Sequence, residues 1–272
     1  MLNTIFSSSK PLGFNDIEDV EIYKKKEEKK SKFNKDQEKK VFSTDIDINT
    51  LIFDREIQCP VCTNTFKIKS VKVNAPRIKS RDSDFLVRYN IINPLLYDVW
   101  VCPTCGYSAL KGDFDKIKNH QKPLIVSKVS TQRKEKKYPP ILNEDNAIER
   151  LKLALLSAIA IEAKNSTKAY ICLKLAWIYR LKEDDTNEQI FLKKALEGFL
   201  IAYSSEMTPF YGLDSYSLMY LIGELHRRTG NSKEALVWLG NVIVSRNAPY
   251  RIKEKARDMR DTIKFDEENK TE

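Results

Sequence analysis

The chain has 272 residues, enough for one large or two modest domains, and its formal net charge is +9. No run of apolar residues approaches the roughly 18 that a membrane helix needs, so we expect no contact with the membrane interior. The first ten residues lack a basic stretch followed by an apolar one, and we therefore expect no secretory signal.

The positive charge is concentrated in one part of the chain. Residues 55–140 carry 17 Lys and Arg against 7 Asp and Glu, a net charge of +10. Such a segment attracts polyanions, nucleic acid among them, by releasing their counterions. A basic, solvated surface without any ligand explains the same excess, so both interpretations stay open.

The N-terminal part, residues 1–54, combines a small apolar cluster with a highly charged stretch. Residues 24–40 are mostly Lys and Glu, and they predict a disordered, solvated linker because only Phe33 could be buried there. The cluster before it either docks on the folded part as a short strand or turn or remains a mobile tail. Its members are Leu12, Phe14, Ile17, Val20 and Ile22.

Four of the five cysteines form two short motifs, Cys59-Pro60-Val61-Cys62 and Cys102-Pro103-Thr104-Cys105. Two Cys-x-x-Cys turns can place four thiolates around one ion and complete a closed tetrahedral shell. The pattern predicts Zn2+ bound by Cys59, Cys62, Cys102 and Cys105, with iron or disulfides as the alternatives. Free cysteine pairs fit a reducing compartment, so we expect a cytoplasmic protein.

Alternating apolar and polar residues flank both cysteine motifs, as in Phe66 and Ile68 after the first and Val99 and Val101 before the second. A strand, a cysteine turn and a second strand, repeated twice, predict a zinc-ribbon-like domain over residues 55–112 whose stability comes from the metal. Gly106 permits a positive φ after the second motif. After the first motif, Asn64 is the residue that tolerates this conformation.

The second half of the sequence has helical periodicity. Residues 113–140 predict a connecting helix and linker, and residues 141–272 predict an all-α domain. Capping boxes are predicted at Asp185, with Glu188, and at Asn231, with Glu234. The predicted helices cover residues 148–163, 167–181 and 185–203. Two further helices flank Gly230, one on each side.

The segment around Gly230 resembles a tetratricopeptide repeat (TPR). Gly223 and Ala235 occupy the small positions where the paired helices touch, and Gly230 makes the turn. Repeats of this type stack into a curved surface that commonly grips a peptide or another protein. We therefore expect an unidentified protein or peptide partner for the helical domain.

Asp82 and Asp84 are the most interesting residues outside the cysteine motifs. They could bind Mg2+, with Arg81 as a fork for phosphate or carboxylate. In a structural interpretation, Arg81 instead pairs with an aspartate and Asp82 caps a turn. We favour the structural interpretation, because two carboxylates without a third ligand, a base or a phosphate loop specify no chemistry.

Arg77, Lys79 and Arg81 alternate along a predicted strand and would project to one side, with Arg88 nearby. This arrangement could follow a nucleic-acid backbone, or it could form a solvated strand face. The sequence contains no nucleophile elbow, phosphate-binding loop or His-Glu metal motif, so we expect no enzyme.

Several stretches resemble a bacterial family catalogued as domain of unknown function 2225, and the resemblance extends over nearly the whole chain. The most specific stretches are Arg81-Asp82-Ser83-Asp84-Phe85 and Cys102-Pro103-Thr104-Cys105-Gly106-Tyr107. Leu12-Gly13-Phe14 and residues 173–180 also match. The resemblance implies a zinc-ribbon-like domain joined to TPR-like helices, and it implies no activity.

These observations predict an α+β protein with a small β zinc-ribbon-like domain followed by TPR-like helices. The expected function is that of a zinc-binding, non-enzymatic interaction or scaffold protein. Nucleic-acid binding through the basic segment is the alternative, and an enzyme that uses Asp82 and Asp84 is a distant third.

Overall fold

A computed structural model describes residues 47–132 and 136–269 of the chain. The predicted α+β class is confirmed, because β-hairpins come first in these residues and a helical region follows them. The apolar cluster of residues 12–22 and the predicted linker at 24–40 lie outside the described residues. No helix in the described ranges is both long and apolar enough to cross a membrane.

In the described part of the chain, consecutive strands pair into three antiparallel hairpins. The register sets Ile57 opposite Phe66 in the first hairpin and Val99 opposite Leu110 in the third. Strands therefore lie on both sides of each cysteine motif, as predicted. The pairs are β1 (Ile52–Gln58) with β2 (Thr65–Val71), β3 (Ile78–Arg81) with β4 (Val87–Tyr89), and β5 (Val99–Val101) with β6 (Ser108–Leu110).

Within the described residues the helical region has seven α-helices. Helices adjacent in the chain pack against each other, most extensively the third with the fourth and the fifth with the sixth. They are α1 (Lys122–Lys128), α2 (Glu144–Ala160), α3 (Asn165–Leu181), α4 (Asp185–Ser205), α5 (Ser215–Arg228), α6 (Ser232–Val244) and α7 (Tyr250–Glu268).

Both predicted capping boxes differ from what the structure shows. Helix α4 is capped by Asp184, whose carboxylate accepts a hydrogen bond from the backbone N–H of Asn187. The predicted box from Asp185 to Glu188 is therefore wrong, because the Glu188 carboxylate accepts a hydrogen bond from Arg180. Asn231 does precede α6, but its side chain makes no capping hydrogen bond.

The small residues predicted at the contact between α5 and α6 are where the helices approach most closely. A Cβ atom added to Gly223 would lie 3.1 Å from Leu239 Cγ and 3.3 Å from Trp238 Cβ. Ala235 is fully buried, and Gly230 has a φ of 88° in the turn between the helices. Only small side chains permit this packing distance.

One hydrophobic core joins the hairpins to the helices. Leu86, Val99 and Leu110 belong to the same buried cluster as the apolar faces of helices α2 to α5. The backbone N–H of Ser108 in β6 donates to Ser157 Oγ of α2 at 3.2 Å. The predicted division into separate domains near residue 140 stays a prediction, although the shared core extends across it.

Candidate metal centre and the docked hairpin tip

Both cysteine motifs fold as tight turns between paired strands. In the first, the backbone N–H of Thr63 donates to the carbonyl of Cys59 at 2.9 Å, and in the second, the N–H of Gly106 donates to the carbonyl of Cys102 at 3.1 Å. Thr63 and Gly106 have positive φ values of 61° and 76°. The expectation that Asn64 would adopt this conformation is wrong, since the residue directly after the second cysteine of the motif must turn.

The turns bring the four sulfur atoms together. Cys59 Sγ lies 3.6 Å from Cys105 Sγ, Cys62 Sγ lies 3.6 Å from Cys102 Sγ, and all four lie within 4.8 Å of one another. A tetrahedral ion with metal–sulfur bonds of about 2.3 Å requires sulfur–sulfur distances of about 3.8 Å. A disulfide requires about 2.05 Å. All four cysteines are free, and this cluster could hold a metal ion.

The thiols influence one another's ionisation. Hydrogen bonds from Cys105 and Cys59 lower the pKa of Cys102 to about 2. The hydrogen bond to Cys102 raises the pKa of Cys59 to about 11, and it raises the pKa of Cys105 as well. One thiolate therefore forms readily and opposes the ionisation of its neighbours. A cation would remove this opposition, because its charge stabilises several thiolates at once.

An apolar shell surrounds the sulfur cluster. The ring of Phe114 lies 5.6 Å from that of Trp100 and 4.9 Å from that of Tyr107, measured between centroids. Cys59 and Cys102 are fully buried. Four sulfur ligands in such surroundings leave no position for water or substrate, which is typical of a structural metal site.

The predicted site at Asp82 and Asp84 forms the tip of the β3–β4 hairpin, which we define as residues 82–85. Asp82 accepts hydrogen bonds from Arg88 Nε at 2.8 Å and from Arg180 Nη1 at 2.9 Å. Burial alone would raise the pKa of Asp82, but these two guanidinium groups hold it below its ordinary value. The expectation that Arg81 pairs with an aspartate is wrong, because Asp82 and Asp84 pair with Arg88 and Arg180 instead.

Asp84 is fully buried against α3. Its Oδ2 accepts hydrogen bonds from Arg180 Nη2 at 2.6 Å and from Trp177 Nε1 at 3.1 Å. Burial would raise the pKa of Asp84, but the hydrogen bonds and charge of Arg180 outweigh it and lower the pKa. Since both aspartates face arginines, their geometry favours the structural interpretation over Mg2+ binding.

The remaining residues of the tip contact α5. Ser83 Oγ donates to Glu224 Oε1 at 2.5 Å, and Tyr220 donates to the carbonyl of Ser83 at 3.0 Å. The ring of Phe85 packs against that of Tyr220 at a centroid distance of 5.4 Å. The tip is therefore bound to two helices that lie far from it in sequence.

The four basic residues proposed from the sequence do not form a single set. Arg77, Lys79 and Arg81 are exposed along β3 or just before it. Arg88 makes a bidentate contact with Asp82, so its charge is already paired. The structure thus separates three solvent-facing cations from one that stabilises the tip.

Sequence reasoning missed the helical partners of the tip, above all Arg180, Trp177 and Glu224. A signal existed for two of them, because Trp177 and Arg180 lie in the stretch 173–180 that carries the family resemblance. No spacing rule connects that stretch to residues 82–85.

The fold and the site define an α+β protein in which a cluster of four cysteines could hold a metal ion. A family model described as "Uncharacterized protein conserved in bacteria (DUF2225)" matches residues 52–263, and the chain belongs to this family. The resemblance inferred from the sequence is thereby confirmed.

The chain is also similar to an uncharacterized protein of Borreliella burgdorferi. The two sequences are 22% identical over 227 residues, which cover 65% of this chain and 77% of the relative. No solved structure matches the chain.

Proposed function

We propose that the protein is a zinc-binding, non-enzymatic interaction or scaffold protein of the cytoplasm. The observation that carries the proposal is the cluster of four free, largely buried sulfurs within 4.8 Å of one another. Zn2+ suits this ligand set because it prefers tetrahedral thiolate coordination and does not change its redox state. The ion would fix the first hairpin to the third and thereby stabilise a part of the protein with little apolar core of its own.

The contacts of the two aspartates support a non-enzymatic role. A general base or a Mg2+ ligand needs free lone pairs, whereas the oxygens of Asp82 and Asp84 accept hydrogen bonds from Arg88, Arg180 and Trp177. The four-sulfur shell likewise has no open coordination position.

The paired helices support an interaction role, with TPR-like stacking as the proposed arrangement. The hairpin tip already covers part of α3 and α5, so we place the partner on α6 and α7. Val237, Val244 and Phe265 on these helices have exposed fractions of 57%, 77% and 64%. Val237 and Val244 are seven positions apart in α6 and therefore lie on the same face of this helix, where a partner could cover them together.

Elemental analysis of purified protein tests the zinc assignment. We expect one zinc per chain, and we expect Cys59→Ser to lose most of it. Cys172→Ser is the matched control, because Cys172 is buried in α3 and does not belong to the sulfur cluster. Equal zinc contents in Cys59→Ser and the wild type would refute the assignment.

Crosslinking tests the interaction role. A photoreactive residue at position 237 should capture a defined protein partner, and Val244→Asp should abolish the capture. The same residue placed at the exposed position 73 is the control. Equal capture from positions 237 and 73 would contradict a partner surface on α6 and α7.

Nucleic-acid binding through the basic segment is the second candidate. It is favoured by the exposure of Arg77, Lys79 and Arg81 along one strand. Affinity should then fall steeply with salt, and the double variant Arg77→Ala/Lys79→Ala should lower the salt slope by about 2. Lys69→Ala is the control, since Lys69 pairs with Asp54 at 3.0 Å. Absence of binding at moderate salt would overturn this candidate.

A further inference from the structure

A cavity of about 400 Å3 lies between the β3–β4 hairpin and helices α3 and α5. We propose that this cavity binds an uncharged, planar aromatic small molecule. Its volume falls within the usual range of about 300–1,000 Å3 for small-molecule sites. The proposal concerns a ligand site distinct from the sulfur cluster and from the exposed surface of α6 and α7.

The walls of the cavity are mainly aromatic and aliphatic. Phe85 and Tyr89 line the hairpin side, and Tyr170 and Trp177 line the side of α3. Tyr211 lines the cavity from the loop before α5, and its ring stacks on Tyr170 with a centroid distance of 4.3 Å and an interplanar angle of 13°. This stack leaves the ring edges to a ligand, so a planar aromatic molecule would meet the pair edge to face and contact the rings of Phe85, Tyr89 and Trp177.

The charges inside the cavity neutralise each other. Lys174 Nζ lies 2.8 Å from Asp98 Oδ2 and 4.5 Å from the centroid of the Tyr170 ring. Burial would lower the pKa of Lys174, but the charge of Asp98 outweighs burial and raises it. Each group of the pair already has its counterion, so neither charge is available to a ligand. A charged ligand would lose its hydration without gaining a counterion.

Two hydroxyl groups in the wall can position a polar substituent of the ligand. Within residues 47–132 and 136–269, neither Tyr89 Oη nor Ser217 Oγ has a hydrogen-bond partner, and both residues line the cavity. Each hydroxyl can donate to or accept from a neutral group such as a phenol or an amide. The site therefore offers hydrogen bonds without net charge.

Backbone strain provides an independent observation. Phe85 and Tyr211 have φ values of 71° and 52°, in a region that bulky residues rarely adopt. Each such conformation has a cost in free energy, and residues of this kind cluster at ligand sites. Glycine would avoid the cost at both positions, but it would remove two aromatic side chains from the cavity wall.

Fluorescence titration tests the proposal on the full-length, metal-loaded protein. N-phenyl-1-naphthylamine, which is neutral and aromatic, is the probe, and 1-naphthalenesulfonate is its anionic counterpart. We expect the wild type to bind the neutral probe saturably and the anionic probe at least 10-fold more weakly. Ser217→Trp should bind the neutral probe at least 10-fold more weakly than the wild type, because its indole would fill the cavity. Val126→Trp adds the same indole at an exposed position of α1, outside the cavity, and should bind like the wild type.

Circular dichroism must first establish that Ser217→Trp is folded. If it is not, Leu95→Trp, from another part of the cavity wall, replaces it. Absence of saturable binding, equal binding of the two probes, or unchanged binding by the filled variant would overturn the proposal. A variant that loses the probe while retaining its helical signal would support it.

Discussion

Arg180 of α3 and Asp84 of the hairpin tip form a buried ion pair in which Nη2 lies 2.6 Å from Oδ2. The same guanidinium contacts Asp82 and Glu188, so one arginine connects the hairpin to α3 and α4. Buried ion pairs often add little net stability, but removing Arg180 would leave the fully buried Asp84 carboxylate without its closest counterion. The attachment of the tip therefore depends on this pair remaining complete.

Asp84→Asn should destabilise the protein. The substitution keeps the shape of the side chain but removes its charge, and because Asp82 and Glu188 still face Arg180, the loss should be about 1–3 kcal/mol. Urea denaturation measures it. Asp54→Asn is the control because it breaks the exposed pair with Lys69, which should cost about 0–1 kcal/mol. Equal losses in the two variants would contradict the role given to the buried pair.

The contribution of Asp84 to the free energy of unfolding should disappear at acidic pH. Its pKa in the folded protein lies below the ordinary value of 3.8, so its stabilising effect is complete above that value and is lost as the pH falls below it. The stability difference between wild type and Asp84→Asn should remain constant from pH 7 to about 5 and narrow below about pH 4. Protonation of the cysteines affects both proteins and cancels in this difference. A stability difference between the two proteins that stays unchanged down to pH 3 would argue against an ionised Asp84.

Removal of the metal should affect the cysteine turns before the helices. Trp100 packs against Phe114 in the buried cluster that contains Cys102, so a chelator should shift its fluorescence to longer wavelength. Helical circular dichroism should be largely retained. Trp100→Phe should abolish the fluorescence response. Loss of all helical signal in the same transition would mean that the hairpins and helices unfold as one unit. That result would contradict the predicted domain boundary near residue 140.

Gly223→Ala should destabilise the contact between α5 and α6. The added methyl group would lie 3.1 Å from Leu239, and such overpacking costs about 1–3 kcal/mol. Gly240→Ala is the matched control, since a Cβ at that position in α6 meets nothing within 4 Å. Alanine there should be neutral or stabilising by up to about 1 kcal/mol. The midpoint temperature of thermal unfolding should therefore fall in Gly223→Ala and stay constant or rise in Gly240→Ala.

Local patterns in the sequence were sufficient for the cysteine turns and for most helices. A Cys-x-x-Cys spacing already specifies a tight turn, and two turns flanked by alternating apolar residues specify two hairpins. Helix α7 gives a weaker signal, because among its residues only Ala256 and Ile263 are fully buried. Its apolar stripe is too sparse for periodicity alone to identify it.

The partners of the hairpin tip could not be predicted, because their contacts are long-range. Asp84 and Arg180 are separated by 96 positions, and no periodicity relates a turn to a distant helix face. The choice between Arg81 and Arg180 as partner of the aspartates depends on packing alone. Thr63 is a related case, since its residue type gives little indication that it adopts a positive φ.

The hydrogen bond from Ser83 to Glu224 spans 141 positions and has a consequence for biosynthesis. At about 5–20 residues per second, the ribosome makes Glu224 roughly 7–28 s after Ser83. The acidic hairpin tip therefore lacks its helical partners until α3, α4 and α5 have been translated. The cysteine turns are only 40 positions apart, so their sulfurs can meet much earlier, before the later helices have been translated.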